Sequence, residues 1–333
     1  MQCRSEHFIE CEDQRKRWFP SKEDPRIFPA QGIGSWPLGV YDRLSEYYLR
    51  DLSDATDNIK AFEGVFQAFS RLSASKYSPS VAHFYGVPIL YDEQRISGSP
   101  NLGVISPGGM DTFGGNASFA LGLAWCSGYH NPSGVVHNDL FPSWTWAASG
   151  PGGQPMEMGD QTSLNFVSQY QVIRQLDWSI RIRLLHRSGK STTLIDYLKH
   201  QEDYTKFHPL VDITSYVVHD MLEGIASWKS RLGKLQAWSD SRIRWQPEAM
   251  APGERVTAIY VGMYKRREVV SLTFILVHDD GGGRYRRVGV FTLSKIDLQS
   301  MADWYKNPAK NFTSFLQDLV GGPEWHQETL RLV

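Results

Sequence analysis

The hydrophobic and polar positions of this chain fall into two regimes. In the first, Ile59, Phe62, Phe66 and Phe69 interleave with Ala61, Val65, Ala68 and Leu72, which predicts a helix apolar on most of its circumference and therefore buried. Ser53 and Asp54 supply capping residues before it. Around that helix the pattern is broken. Residues 1–43 are charged and rich in Pro and Gly, and from Pro79 to Pro107 short apolar pieces such as Val87-Pro-Ile-Leu-Tyr91 alternate with Gly, Ser and Pro, so both read as irregular. Ser118 to Cys126 forms a compact apolar run, and the Gly- and Pro-dense stretch from Ser149 to Gly159 is the best internal boundary.

The second regime is sheet-like. Apolar and polar residues alternate with period two in Trp178-Ser-Ile-Arg-Ile-Arg-Leu184, placing one face on a core and the other in water. Met221, Ile225, Trp228, Leu232 and Leu235 then recur at helical spacing, predicting a long amphipathic helix over 216–238. Three strands follow, at 256–264, 268–277 and 285–293, and their short connections force an antiparallel meander. Two helices are expected after it, one capped by Asp297 and one carrying Phe312, Phe315, Leu316 and Leu319 and stopped by Gly321-Gly322. The fold class is thus α+β: a helical, loop-rich N-terminal half over 1–150, and an antiparallel β-sheet C-terminal half with flanking helices over 160–333.

Composition narrows the function classes. Lys plus Arg (35) against Asp plus Glu (36) leaves a net charge of −1, too balanced for phosphate-backbone binding, so no nucleic-acid partner is expected. No apolar run approaches the ~20 residues of a membrane-spanning helix. Cys3, Cys11 and Cys126 are too few for a disulfide framework, and Met1 to Glu10 lacks the apolar core of a secretory signal, so the chain reads as cytoplasmic. With 11 Trp, 15 Tyr and 16 Phe, it is unusually aromatic. That means large buried side chains or stacking platforms.

Candidate chemistry is sparse. Gly189-Lys-Ser191 ends like a phosphate-binding loop, but the position needing the leading glycine is Leu184, so a hairpin or strand-to-helix turn with a polar tip is expected. Cys3, His7 and Cys11 would align on one face of a helix as soft metal ligands, yet no fourth ligand follows at a normal spacing. Asp51, Asp54 and Asp57 sit at a helix start, where carboxylates favour the dipole, and Asp279-Asp280 is a turn facing the basic Arg284-Tyr-Arg-Arg287, read as a solvated rim. No hydrolase elbow, zinc-protease helix or dinucleotide fingerprint occurs, so no catalytic residue, cofactor or metal is assigned. Trp144 and Trp146 fall on one side of an extended segment and suit either a sugar-stacking platform or an anchor of a loop to a core with bonded indole N–H groups.

Several segments resemble a known family. Tyr48-Leu-Arg-Asp-Leu-Ser53, with Arg50, followed by Asp57-Asn-Ile-Lys-Ala61 and Phe62-Glu-Gly64, is similar to the helix start that follows the HET (heterokaryon incompatibility) domain of fungal proteins. Phe119, Leu121, Leu123 and Trp125, then Phe141-Pro-Ser-Trp-Thr-Trp146 with Pro142, resemble that family's signature P-S-W-S-W region. Gln2-Cys-Arg-Ser5 is similar to the exit from the HET domain, and Tyr285-Arg-Arg-Val-Gly-Val-Phe291 to a late strand. The front of the HET core, with its W-x-x-Q-E stretch, is not found, which implies a truncated or split product or a fragment. The resemblance implies an interaction or sensing module with protein partners in fungal non-self recognition and cell death. Such HET domains have been likened to signalling domains that act on NAD, but no family catalytic residue maps onto this chain. A carbohydrate- or small-molecule-binding or hydrolytic protein using exposed aromatics is the alternative.

Overall fold

The computed structural model of the chain describes residues 37, 39–48, 55–72, 80–91, 93, 115–126, 139–148, 165–166, 180–221, 253–266, 269–297, 316–317 and 324–333. Nearly half of these are strand, which corrects the α+β expectation: five strands close into a β-barrel, and helices are few. The strands of the barrel are β7 (Phe207–Met221), β8 (Arg255–Arg266), β9 (Val269–Gly281), β10 (Arg284–Asp297) and β11 (His326–Leu332). β8, β9 and β10 form the expected antiparallel meander, and β7, not expected as a strand, adds to it alongside β8. β11 then lies parallel to β10 and antiparallel to β7, which closes the ring.

Side-chain alternation explains why these segments pair. Val217, Ile259, Ile275 and Val290 are successive register partners across four strands, and all are buried. Each contributes on the order of 1.5–3 kcal/mol on burial. The β7–β11 pair tells inside from outside. Val211, Ile213, Leu330 and Leu332 are buried on one face, whereas Arg331 and Thr329 on the other reach solvent beside Asp212 and Thr214. A closed barrel has only one wet face, so the first face is the interior.

β7 overturns the helix expected over 216–238 in its first six residues, which are strand. Val211, Ile213, Thr214, Val217 and Val218 are β-branched and favour extended backbone. The helical spacing begins only at Met221, where the strand ends, and residues 222–238 lie outside those described.

A smaller layer packs against one end of this barrel. β5 (Arg181–His186) and β6 (Ser191–Thr193) form a hairpin whose first strand extends the sheet along β7. The predicted alternation is present there, with Ile180, Ile182 and Leu184 buried and Arg181 and Arg183 exposed. The layer also holds α1 (Gly39–Tyr48), α2 (Asn58–Leu72), α3 (Gly115–Gly122) and α4 (Leu194–His200). α2 is amphipathic rather than apolar all round: Ile59, Phe62, Val65, Phe66 and Phe69 are buried, but Ala61, Gly64 and Gln67 face solvent. α4 starts at Thr193, whose hydroxyl oxygen accepts the Asp196 N–H at 3.1 Å, an N-cap.

The segment around Val87-Pro-Ile-Leu-Tyr91, read from sequence as irregular, is instead β2 (Val87–Tyr91), paired with β1 (Ser80–Phe84). Two-residue strands β3 (Trp125–Cys126) and β4 (Asn165–Phe166) pair with each other. The Gly/Pro boundary at 149–159 and most of the two helices expected after Asp297 lie outside the described residues.

Candidate functional site

Three segments far apart in sequence meet where the layer joins the barrel. Arg287 on β10 is buried, with its guanidinium 3.9 Å from the centroid of the Trp125 ring. Its Nε donates to the Leu123 carbonyl at 3.0 Å and its Nη2 to the Trp125 carbonyl. The Arg287 backbone N–H donates to Ser143 Oγ at 3.0 Å, and Ser143 Oγ–H donates to the Val333 carbonyl. A register shift between Arg287 and Gly289 marks a β-bulge at this point, which turns Arg287 toward the joint. Reading Arg284 to Arg287 as a solvated rim is therefore right for Arg284 and Arg286 and wrong for Arg287. Arg286 does pair with Asp280, at 3.2 Å.

The residues of Phe141-Pro-Ser-Trp-Thr-Trp146 hold the β1–β2 turn. Trp144 and Trp146 are 0% and 1% exposed, so they offer no sugar-stacking surface, and Pro142 is buried beside them. Trp146 Nε1 donates to the Gly86 carbonyl at 2.7 Å, and Thr145 Oγ1 donates to the Tyr85 carbonyl at 2.7 Å. Trp144 lies parallel to Phe84 at 6.0 Å and edge-on to Phe119 at 5.9 Å, and its carbonyl accepts the Trp125 indole N–H. Its own indole nitrogen has no partner among the described residues.

The turn itself is Tyr85-Gly86, with φ of +46° and +83°. Positive φ at both positions is the type I′ hairpin turn, which a tyrosine adopts only at a cost of roughly 1 kcal/mol. That cost is offset by tertiary bonds, since Tyr85 Oη also donates to the Phe207 carbonyl at 2.9 Å.

Beneath this turn lies a cluster of neutral titratable groups. His83 stacks on Phe66 at 4.3 Å, and its Nδ1 accepts the Gly86 N–H at 3.3 Å. Burial pulls its pKa down to about 4, with Asp203 opposing. Burial likewise pushes Tyr204 up to about 12, and Tyr197 further, while Tyr197 Oη donates to the His83 carbonyl. Groups this far from neutrality are poor proton shuttles, and their role is packing.

The remaining sequence candidates are dispersed. Gly189-Lys190-Ser191 belongs to the β5–β6 hairpin, where the His186 N–H meets the Lys190 carbonyl at 2.8 Å and Gly189 has φ +86°. It is a turn with a polar tip, as expected. Asp57 is exposed in a single 3₁₀ turn, and Gly64 is exposed with open space around it. Arg50 and the Cys3, His7, Cys11 group lie outside the described residues.

One polar cluster escaped sequence reading. His219 on β7 and His326 and Glu328 on β11 bring their ligand atoms within 4.8 Å of one another. Nε2 of His219 and of His326 lie 2.9 and 3.2 Å from the same carboxylate oxygen, Glu328 Oε2. The spacing His326-x-Glu328 places both on one face of any strand, and that was the available signal. His219 is 107 positions away, and only barrel closure supplies it. Comparison with protein-family models, curated proteins and solved structures finds no match to this chain.

Proposed function

We propose that the chain is an interaction and sensing module of a HET-type fungal incompatibility protein, acting on protein partners in non-self recognition and the cell death that follows. The observation that supports this is the convergence of the segments that carry the resemblance. Trp125, the Ser143–Trp146 stretch and the Arg287 strand, which carry the resemblance at three places separated by up to 162 positions, bond to one another in one joint. The reading of the tryptophans as a sugar platform loses its basis, because a stacking surface needs solvent-facing indoles.

The test is expression in a filamentous fungus. The chain joined behind an intact HET domain is expected to arrest growth, and the chain by itself is expected neither to arrest growth nor to cleave NAD when purified. Arrest or NAD cleavage by the chain alone would put the chemistry within these residues and overturn the reading.

A further inference from the structure

We infer that His219, His326 and Glu328 form a binding site for a divalent first-row transition ion of the zinc class, set at the rim of the barrel where β11 meets β7. The inference is independent of the incompatibility reading.

The strands dictate the placement. His219 continues the inward face of β7 after Val211, Ile213, Ser215 and Val217, and His326 and Glu328 continue that of Leu330 and Leu332. The interior face thus ends in three ligating groups where it reaches solvent, with side chains 35–48% exposed. An ion arriving from water has access, and the buried end of the site is fixed by the ladder.

The ligand geometry places three donor atoms where one ion can reach them all. A backbone carbonyl only accepts, so the 3.3 Å contact of His326 Nδ1 with the Glu324 carbonyl puts the hydrogen on Nδ1. In the neutral ring, Nε2 then presents a lone pair to Glu328 Oε2, itself an acceptor, at 3.2 Å. A cation between them turns a repulsion into two bonds. His219 also has an outer partner, its Nδ1 lying 2.7 Å from the buried Thr257 Oγ1, where either atom can donate, and its Nε2 lies 2.9 Å from the same carboxylate oxygen. Zinc bonds of ~2.0–2.1 Å set tetrahedral ligand atoms roughly 3.3 Å apart, close to the two separations from Glu328 Oε2, and all three ligand atoms lie within 4.8 Å of one another. An outer partner on each imidazole is also how metal-binding histidines are oriented. Two imidazoles and one carboxylate select zinc-like ions over calcium or magnesium, and three protein ligands leave a coordination position open.

The experiment uses the whole chain, stripped with a chelator and titrated with zinc sulfate in a calorimeter, and with cobalt(II) followed by its visible d–d absorption. One ion per chain is expected, with cobalt bands lacking the thiolate charge transfer that ligation by Cys3 or Cys11 would add. His219→Ala and the near-isosteric Glu328→Gln should each weaken binding at least about tenfold with circular dichroism unchanged, and Thr257→Val, which removes only the outer partner, by roughly 10-fold. Zinc should raise the melting temperature of the parent chain and not that of Glu328→Gln. No stoichiometric heat, or full affinity retained in both His219→Ala and Glu328→Gln, would reduce the cluster to an ordinary surface ion pair and overturn the inference.

Discussion

The barrel and the layer beneath it are held together by different means. In the barrel, strands of up to fifteen residues pair by long backbone ladders broken by a few register shifts, and side chains fill the space between them. In the layer, elements are short, and the bonds that matter run from side chain to backbone across the chain: Trp146 to Gly86, Thr145 to Tyr85, Tyr197 to His83, Tyr85 to Phe207. Ladders distribute stability over many equivalent bonds, so the loss of one is tolerated. The layer concentrates it in a few aromatic residues, so its tolerance depends on which residue is lost.

The sharpest way to break this contrast is at the joint. Trp144→Ala removes the ring parallel to Phe84 and is expected to cost about 3–5 kcal/mol. Arg287→Ala leaves the Leu123 and Trp125 carbonyls without their donor and is expected to cost about 3 kcal/mol. Urea denaturation followed by both tryptophan fluorescence and the far-ultraviolet β signal would check them: the fluorescence transition should move to lower urea ahead of the β signal. Coincident shifts would mean that layer and barrel unfold as one unit.

Acid offers a second lever on the layer. The native His83 ring resists protonation, whereas in the unfolded chain it titrates near 6.5, so below about pH 6.5 the unfolded state binds the additional proton. Stability contributed at this site is complete above that pH and falls until about pH 4, by up to roughly 3 kcal/mol. His83→Phe should flatten the dependence of the urea midpoint across that window, and an unchanged pH profile would refute the assignment.

A smaller effect is expected from Gly86→Ala. The added Cβ would lie 3.0 Å from Trp146 Nε1 at a φ of +83°, and a loss of about 1–2 kcal/mol is predicted by thermal melting. Smallest of all should be Asp212→Asn on the barrel wall. It removes the charge of the part-exposed, bidentate partner of Arg331, 2.6 Å away, at a cost of about 0.5–1 kcal/mol. A large effect there would contradict the view that the barrel spreads its stability.

The same contrast decides what was legible in the sequence. The meander could be read because the short links at 265–267 and 279–283 are local signals, and β5 because Ile180, Ile182 and Leu184 alternate with period two. The β1–β2 hairpin was not, because Tyr85-Gly86 departs from the Asn-Gly or Asp-Gly turn signal and is stabilised by residues about 60 and 120 positions away. β7 was obscured by a helical stripe that begins where the strand ends. β11 carries no strand signal, because five of its seven residues are charged or polar and they pair with a strand more than a hundred positions earlier. Trp125, Trp144 and Trp146 are legible as large residues that want burial, but the burial of Arg287 depends on a bulge that no local pattern announces.

The way β11 closes the barrel also sets an order of events during synthesis. It shares seven register pairs with β7 and only two with β10, yet it leaves the ribosome more than a hundred residues after β7. Until it arrives, the β7 edge that it will cover stands open as a template for any other extended segment. Pairing across so long a separation is slow, because the closure entropy is lost before the contacts form. The nascent chain, more than the finished protein, is thus where this sequence is exposed to aggregation, and chaperone demand should peak before the last strand is made.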